Sequence, residues 1–270
     1  MVRDLIFDVG MYDGSDTDYY LRKGFRVVAI EADQHLVEKA EARFRGEIQD
    51  GRLKIVAKAI AERSGSITFF RSKVPLWSTA CSARSAFYGM SRKVESEPVE
   101  VACTTLADVM REHGVPYYAK IDIEGMDKAA LASLHAVDRK PAFVSIESER
   151  RDLQSVREEL ALLQTLGYER FQVVAQHRVH RQTEPTPARE GRQAGNPRAD
   201  TSGLFGRDLP GHTWLSADGA LAAYRRPLLN HYLTGSDPLI GNRWVRAGLK
   251  RLGFRAGWYD THARHKHAAA

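Results

Sequence analysis

A chain of 270 residues, 43% of them apolar, can bury one sizeable α/β core or a core with a subdomain. Cys81 and Cys103 are the only cysteines, which argues against a disulfide framework or a cysteine metal site, and the absence of any run of about 18 apolar residues argues against a membrane span. The net charge of +6 is unevenly placed: residues 176–270 hold 15 Lys/Arg against 7 Asp/Glu and seven of the ten histidines, whereas the rest holds 25 against 27.

A first strand that starts at about residue 3 leaves no room for a signal peptide, so a cytoplasmic setting is expected. The basic C-terminal third suits either an anionic partner or a solvated surface. No interleaving of aromatic and basic residues resembles an RNA platform, and neither nucleic acid nor membrane is expected as a partner.

In chain order, Leu5, Ile6, Phe7 and Val9 form a short, nearly unbroken apolar run, the pattern of a parallel strand covered on both faces. Gly10 and Gly14 punctuate the following turn and allow a ligand to lie against backbone N–H groups at a helix start. Ser15 or Asp16 is the expected N-cap of a helix ending near Lys23. Residues 25–30 are again apolar and β-branched. Glu31 closes that second strand, 23 residues after Asp8, near the spacing at which nucleotide-binding α/β folds set an acid on ribose hydroxyls. The pattern D-x-G-x-x-x-G departs from the dinucleotide fingerprint G-x-G-x-x-G. An acid at Asp8 and only two glycines suit S-adenosylmethionine, which has no phosphate, better than a nicotinamide dinucleotide.

Residues 34–45 have helical spacing. Residues 53–60 read as a third strand, with Ala59 or Ile60 expected near an adenine, and 66–71 as a strand returning from a hairpin turn. From 72 to 98 periodicity is lost while aromatics persist, which predicts an irregular segment covering a substrate. Residues 99–103 read as a strand and 105–113 as a helix closed by Gly114 and Pro116. The strand Tyr117-Tyr118-Ala119-Lys120-Ile121-Asp122-Ile123-Glu124-Gly125 delivers Lys120, Asp122 and Glu124 to the carboxyl edge of the sheet. Residues 141–146 form the next strand, with Glu147 and Glu149 at its end. Four carboxylates at one rim are costly unless a cation, a proton or a hydroxyl donor shares the site. A helix follows at 153–166 and a strand at 168–175. Residues 176–213 are a long loop, either mobile or laid over the site, and 217–224 and 242–252 look helical. The expected division is a cofactor-binding core, 1–176, and a loop-rich basic extension, 177–270, that completes the acceptor site.

With these motifs the chain resembles the FkbM family of S-adenosylmethionine-dependent methyltransferases. The matching residues are Asp8-Val9-Gly10 with Gly14, Glu31-Ala32-Asp33, Thr105-Leu106 with Asp108, and above all Lys120-Ile121-Asp122-Ile123-Glu124-Gly125, within residues 3–147. The resemblance implies a class I methyltransferase fold, a Rossmann-like doubly wound sheet with helices on both faces and a seventh strand antiparallel to the rest. It also implies O-methylation of a hydroxyl on a sugar, polysaccharide or polyketide. Met11-Tyr12-Asp13 departs from the family's first loop and marks where cofactor and acceptor pockets are expected to meet.

The expected cofactor contacts are Asp8, Gly10, Met11, Gly14, Glu31, Ala32, Ala59 and Asp122. Asp122, Glu124 and Glu147 are the expected catalytic carboxylates, acting directly as base or through a shared Mg²⁺. His262 or Asp260 from the tail is an alternative base. Trp77, Tyr88, Trp214 and Trp258 are candidates for stacking on a sugar face, which favours a small-molecule or oligosaccharide acceptor, a methylated mannoside among them. A homodimer is carried as an option. Two other classes compete: a nicotinamide reductase, against which the missing third glycine counts, and a non-catalytic anion-binding module using the basic third.

Overall fold

The computed structural model describes residues 1–74, 77–92, 94–148, 152–235 and 241–268, with the backbone alone at 87, 88, 91 and 92. It begins with β1 (Val2–Val9), α1 (Ser15–Arg22), β2 (Arg26–Ile30), α2 (Gln34–Arg43), α3 (Arg45–Gln49) and β3 (Leu53–Val56). Next come β4 (Ala59–Ile60), β5 (Gly65–Ser72), α4 (Ser82–Arg92), β6 (Ser96–Thr104), α5 (Leu106–His113) and β7 (Pro116–Ile121). The chain ends with α6 (Asp127–Ser133), β8 (Phe143–Glu147), α7 (Leu153–Thr165), β9 (Tyr168–Ala175), α8 (Ala217–Thr234), α9 (Arg243–Arg251) and β10 (Tyr259–His265).

Seven strands form the central sheet in the order β3-β2-β1-β7-β8-β10-β9. The pairs from β3 to β8 are parallel, while β10 runs antiparallel to both its neighbours. This is the doubly wound sheet with one reversed strand that the family resemblance implied. Alternation along β1 explains why its apolar run is unbroken. Leu5, Phe7 and Val9 pack among buried residues of α5, α6, α7 and α8, whereas Ile6 faces Tyr19, Tyr20 and Leu21 of α1 and Ala40 of α2. Caps fix several helix starts: Asp33 accepts from the His35 N–H, Thr105 from the Asp108 N–H and Ser216 from the Gly219 N–H. At α1 the cap is Gly14 in a left-handed conformation rather than Ser15 or Asp16, which leaves both side chains free for other partners.

Three expectations are corrected. The strand read at 53–60 breaks into β3 and β4, and β4 leaves the main sheet to pair with β6 in a three-stranded sheet, β4-β6-β5. The hairpin expected before 66–71 is absent, because β5 pairs antiparallel with the distant β6. The stretch 72–98, read as irregular, contains the helix α4. From the stretch after residue 176, β10 enters the central sheet between β8 and β9.

The long loop 176–215 packs as core rather than moving freely. Phe205 stacks on Tyr118 at 4.7 Å between ring centroids and meets Tyr20 and Phe25 edge-on, so the loop covers the sheet face beyond α1. Lys23, fully buried at the end of α1, is held by Glu184 at 2.5 Å and Asp208 at 2.7 Å. Gly191 passes so close that a Cβ there would lie 2.2 Å from the Lys23 carbonyl oxygen. Glu190, also buried, accepts from the Tyr117 hydroxyl and the Arg207 N–H.

Candidate active site

A cavity of about 560 Å³ opens at the carboxyl edge of the central sheet. This is the switch point of the sheet, where the chain leaves β1 toward β2 on one side and β7 toward β8 on the other. The turn after β1 passes directly over the end of β7. Gly10 has φ +85°, and a Cβ on it would sit 1.9 Å from the Asp122 carbonyl oxygen. The glycine of the D-x-G motif is thus required by the approach of two backbones, before any ligand is considered. Gly10 and Met11 N–H groups donate to the Ile30 carbonyl, and the Asp122 N–H donates to that of Val9, which ties the ends of β1, β2 and β7 into one rim.

Strain gathers at that rim. Tyr12 and Glu124 hold positive φ, 53° and 50°, and are the non-glycine residues that do so among the described residues. Tyr12's turn aims its N–H at Glu31 Oε2, 2.9 Å away, while Glu31 Oε1 accepts from the Asp33 N–H at 2.9 Å. Glu31 is nearly buried on the cavity wall, and burial pushes its carboxyl upward against these stabilising N–H groups. Each oxygen keeps acceptor capacity for a further hydroxyl. Beside it, Ala32, Ala59, Ile60 and Phe69 give the wall an apolar section fit for a flat heterocycle.

The opposite wall is acidic. Asp122, Glu124 and Glu147 bring carboxylate oxygens within 4.8 Å of one another. Asp260 joins them, because register places it opposite Glu147 at the start of β10. Burial first, then repulsion from Asp122 and Glu147, raises its carboxyl well above the ordinary range, while Gln176 donates to it at 2.7 Å. Glu149 lies outside the described residues.

One buried cation organises the floor. Lys120 Nζ lies 3.3 Å from Asp16, 3.6 Å from Asp8 and 3.6 Å from Asp122, and donates to the Gly10 carbonyl. Asp8 is wholly buried beneath the cavity, where it accepts from the Thr17 hydroxyl at 2.6 Å, and burial raises its carboxyl to about 7. Asp16 also accepts from the Ser202 N–H and hydroxyl at 2.7 and 2.6 Å, which pulls the segment 199–202 onto the cavity rim. Asp127 clips the loop after β7 through the Ile123 and Gly125 N–H groups, and burial raises its carboxyl to about 7.

The structure therefore gathers Gly10, Met11, Glu31, Ala32, Ala59, Asp122, Glu124 and Glu147 around one cavity. It does not bring His262 there. That residue lies on β10 in the sheet interior, 2% exposed and stacked parallel to Tyr118, and burial depresses its imidazole to about 3. An imidazole so buried is no proton acceptor for a ligand in the cavity. Asp8 and Gly14 also stand off the wall. Asp8 acts through Lys120, and a Cβ on Gly14 would strike the Phe44 ring at 2.6 Å, so that glycine serves the packing of α1 on α2. Trp214 packs against Phe143 and under Arg264 away from the cavity, whereas Trp77 and Trp258 line it; the Tyr88 side chain lies outside the described residues. Sequence reading missed Asp16, Asp127 and the 199–202 segment. The available signal was Lys120 itself, since a lysine inside a buried strand demands several acids near it.

The Methyltransferase FkbM domain matches residues 8–170 of the sequence. The chain belongs to the FkbM methyltransferase family. Among curated proteins none matches. Solved structures similar to it include the FkbM methyltransferase of Methylobacillus flagellatus KT, 18% identical, covering 55% of this chain and 34% of its own, with a TM-score of 0.37. This chain thus spans about a third of that protein's length. The StiE O-MT is 10% identical over 98% of this chain and 69% of its own, with a TM-score of 0.42. A putative sarcosine dimethylglycine methyltransferase from Galdieria sulphuraria is 8% identical over 96% and 77%, with a TM-score of 0.38.

Proposed function

We propose that this methyltransferase uses S-adenosylmethionine to methylate a hydroxyl of a saccharide. The observation that carries the reading is a single cavity with the glycine turn and Glu31 on one wall and the carboxylates of Asp122, Glu147 and Asp260 on the other. The residues present suit the cofactor. Glu31 offers acceptors for two ribose hydroxyls, Ala59 and Ile60 offer apolar contact for adenine, and the acidic floor and wall suit a ligand carrying a sulfonium and an ammonium group. When bound, the cofactor supplies an electrophilic methyl group that needs no further activation.

What remains for the protein is alignment and removal of one proton. Asp122 and Glu147 line the cavity, and a carboxylate oxygen of either would take the proton of an acceptor hydroxyl as that hydroxyl received the methyl group of the bound cofactor. Lys120, 3.6 Å from Asp122, sets a positive charge beside that carboxylate. A second reading rests on the clustering of Asp122, Glu124 and Glu147 within 4.8 Å, which suits Mg²⁺ bound to the acceptor hydroxyl. Trp77 and Trp258 on the wall, the latter 50% exposed, support a sugar acceptor through stacking on its apolar face.

Calorimetric titration with S-adenosylmethionine tests the central claim, and absence of binding sinks it. Mass spectrometry of a saccharide panel, run with and without chelator, tests the rest. Turnover that survives chelation leaves the direct carboxylate base, and turnover lost to chelation and restored by Mg²⁺ leaves the metal version.

A further inference from the structure

The helix α9 has no buried residue. Trp244 is 72% exposed, Val245 47% and Leu252, its C-cap, 76%. At 3.6 residues per turn, Trp244, Val245, Gly248, Leu249 and Leu252 fall within an arc of about 140°. Arg243, Lys250 and Arg251 occupy the other side, exposed and with no acid among them, while the half-buried Leu249 and Arg246 turn the edge between the two faces toward the fold. The Arg243 guanidinium lies over the Trp244 ring at 4.9 Å, where the two faces meet.

We infer that α9 docks the protein on an anionic lipid surface, with its apolar face at the acyl boundary and its basic face among the headgroups. A helix with such clean segregation satisfies both faces only at a boundary between apolar and charged media. The charge selects the occupant. A second copy would bring the same three exposed cations against these and repel. A nucleic acid would satisfy the arginines and leave Trp244, Val245 and Leu252 in water. Negative headgroups meet the basic face while the acyl region takes the apolar one.

The fold holds this helix firmly and near the cavity. The Thr234 hydroxyl at the end of α8 donates to the Phe254 carbonyl and accepts from the Ala256 N–H, pinning the chain just after α9. Trp258 on the cavity wall lies six positions after Leu252, a reach of at most about 21 Å. The docking inference does not depend on methyl transfer, and its test reads binding alone.

Co-sedimentation of the full chain with vesicles of phosphatidylcholine alone, and of phosphatidylcholine with phosphatidylserine, tests the inference. Binding is expected to the anionic vesicles, with loss at about 1 M salt, where screening length falls to about 3 Å. Each basic residue contributes about fivefold in partition, so Lys250→Gln with Arg251→Gln weakens binding about thirtyfold. Trp244→Ser also weakens it. All three side chains are exposed, so the thermal midpoint stays put in both variants. Equal binding to neutral vesicles, no binding to either, or unaltered binding by the variants overturns the inference. So does a concentration-dependent dimer that Trp244→Ser abolishes, which would make this face an interface between copies.

Discussion

Lys120→Met removes the one cation among Asp8, Asp16 and Asp122. Asp122 has a 40% exposed side chain and can be solvated by water, and Asp16 keeps its two bonds from Ser202. Asp8 is different. It is fully buried, its Oδ1 has no hydrogen-bond donor, and the Thr17 hydroxyl is its remaining partner. Breaking a buried pair from one side costs about 3–5 kcal/mol, unless the stranded group takes up a proton. In the intact protein the Asp8 carboxyl is already raised from 3.8 to about 7. A raised carboxyl favours folding below the unfolded value, and this benefit is lost as pH rises through the folded one. Without Lys120 the folded value climbs further. Above pH 7 the variant then continues to lose about 1.4 kcal/mol per pH unit relative to the intact chain, whose Asp8 has already ionised. Urea unfolding at pH 6 and at pH 8.5, with unchanged m-values, measures this. A destabilisation equal at the two pH values would refute the buried-charge argument, as would failure of Asp8→Asn to rescue Lys120→Met in a double-mutant cycle.

Three more outcomes are expected. Gly10→Ala forces a left-handed alanine, at about 1–2 kcal/mol, and drives its Cβ toward the Asp122 carbonyl, so chemical denaturation registers a loss above about 2 kcal/mol and calorimetry finds no cofactor binding. Glu31→Gln leaves one of the Tyr12 and Asp33 N–H groups without its charged acceptor, at about 1.5–3 kcal/mol, and cofactor affinity falls by about tenfold or more; unchanged affinity would remove Glu31 from the cofactor site. His262→Phe keeps the stack on Tyr118, and Nε2, which has no hydrogen-bond partner, loses nothing. Because the folded imidazole is depressed from 6.5 to about 3, stability is lost as pH falls below 6.5. The phenylalanine variant lacks that loss, so it gains about 2 kcal/mol at pH 5 and keeps its turnover; a shifted pH–rate profile would return His262 to the chemistry.

The parts of the fold written as uninterrupted apolar strands were legible in the sequence. β1, β2, β7 and β8 are buried on both faces along most of their length by helices or by the 176–215 loop, and burial on both faces writes itself as Val, Ile, Phe and Ala; the edge strand β9, with Glu169 and Arg170 exposed, shows the pattern only from Phe171 onward. β10 was not legible for the opposite reason. Its run Asp260-Thr261-His262-Ala263-Arg264-His265 is polar, yet it occupies the sheet interior because its neighbours satisfy it. Thr261 donates to Glu159 at 2.7 Å, Asp260 accepts from Gln176, and His262 stacks on Tyr118. Hydrophobic periodicity carries no trace of such pairings. α4, with its serines and Gly89, and the pairing of β5 with β6 across that helix are non-local facts of the same kind. Residues 176–213 looked like open chain because they are rich in Pro, Gly, Arg and His, and nothing in that composition marks Glu184, Glu190 and Asp208 as buried. Lys23 and Tyr117, far away in sequence, make them core.

The same reasoning changes the meaning of the chain's charge asymmetry. The last third is basic in count, which suited either an anionic partner or a solvated surface. In space it gives the cavity Asp200 and Asp260, both acids, while Lys250, Arg251 and Arg243 sit outside on α9. Around the cavity Asp16, Glu31, Asp122, Glu124, Glu147 and Asp260 face Lys58, Arg84 and Lys120. An excess of carboxylates beside half-buried walls holds an unfavourable potential that a cationic ligand relieves. That excess speaks against an anionic dinucleotide and for a sulfonium.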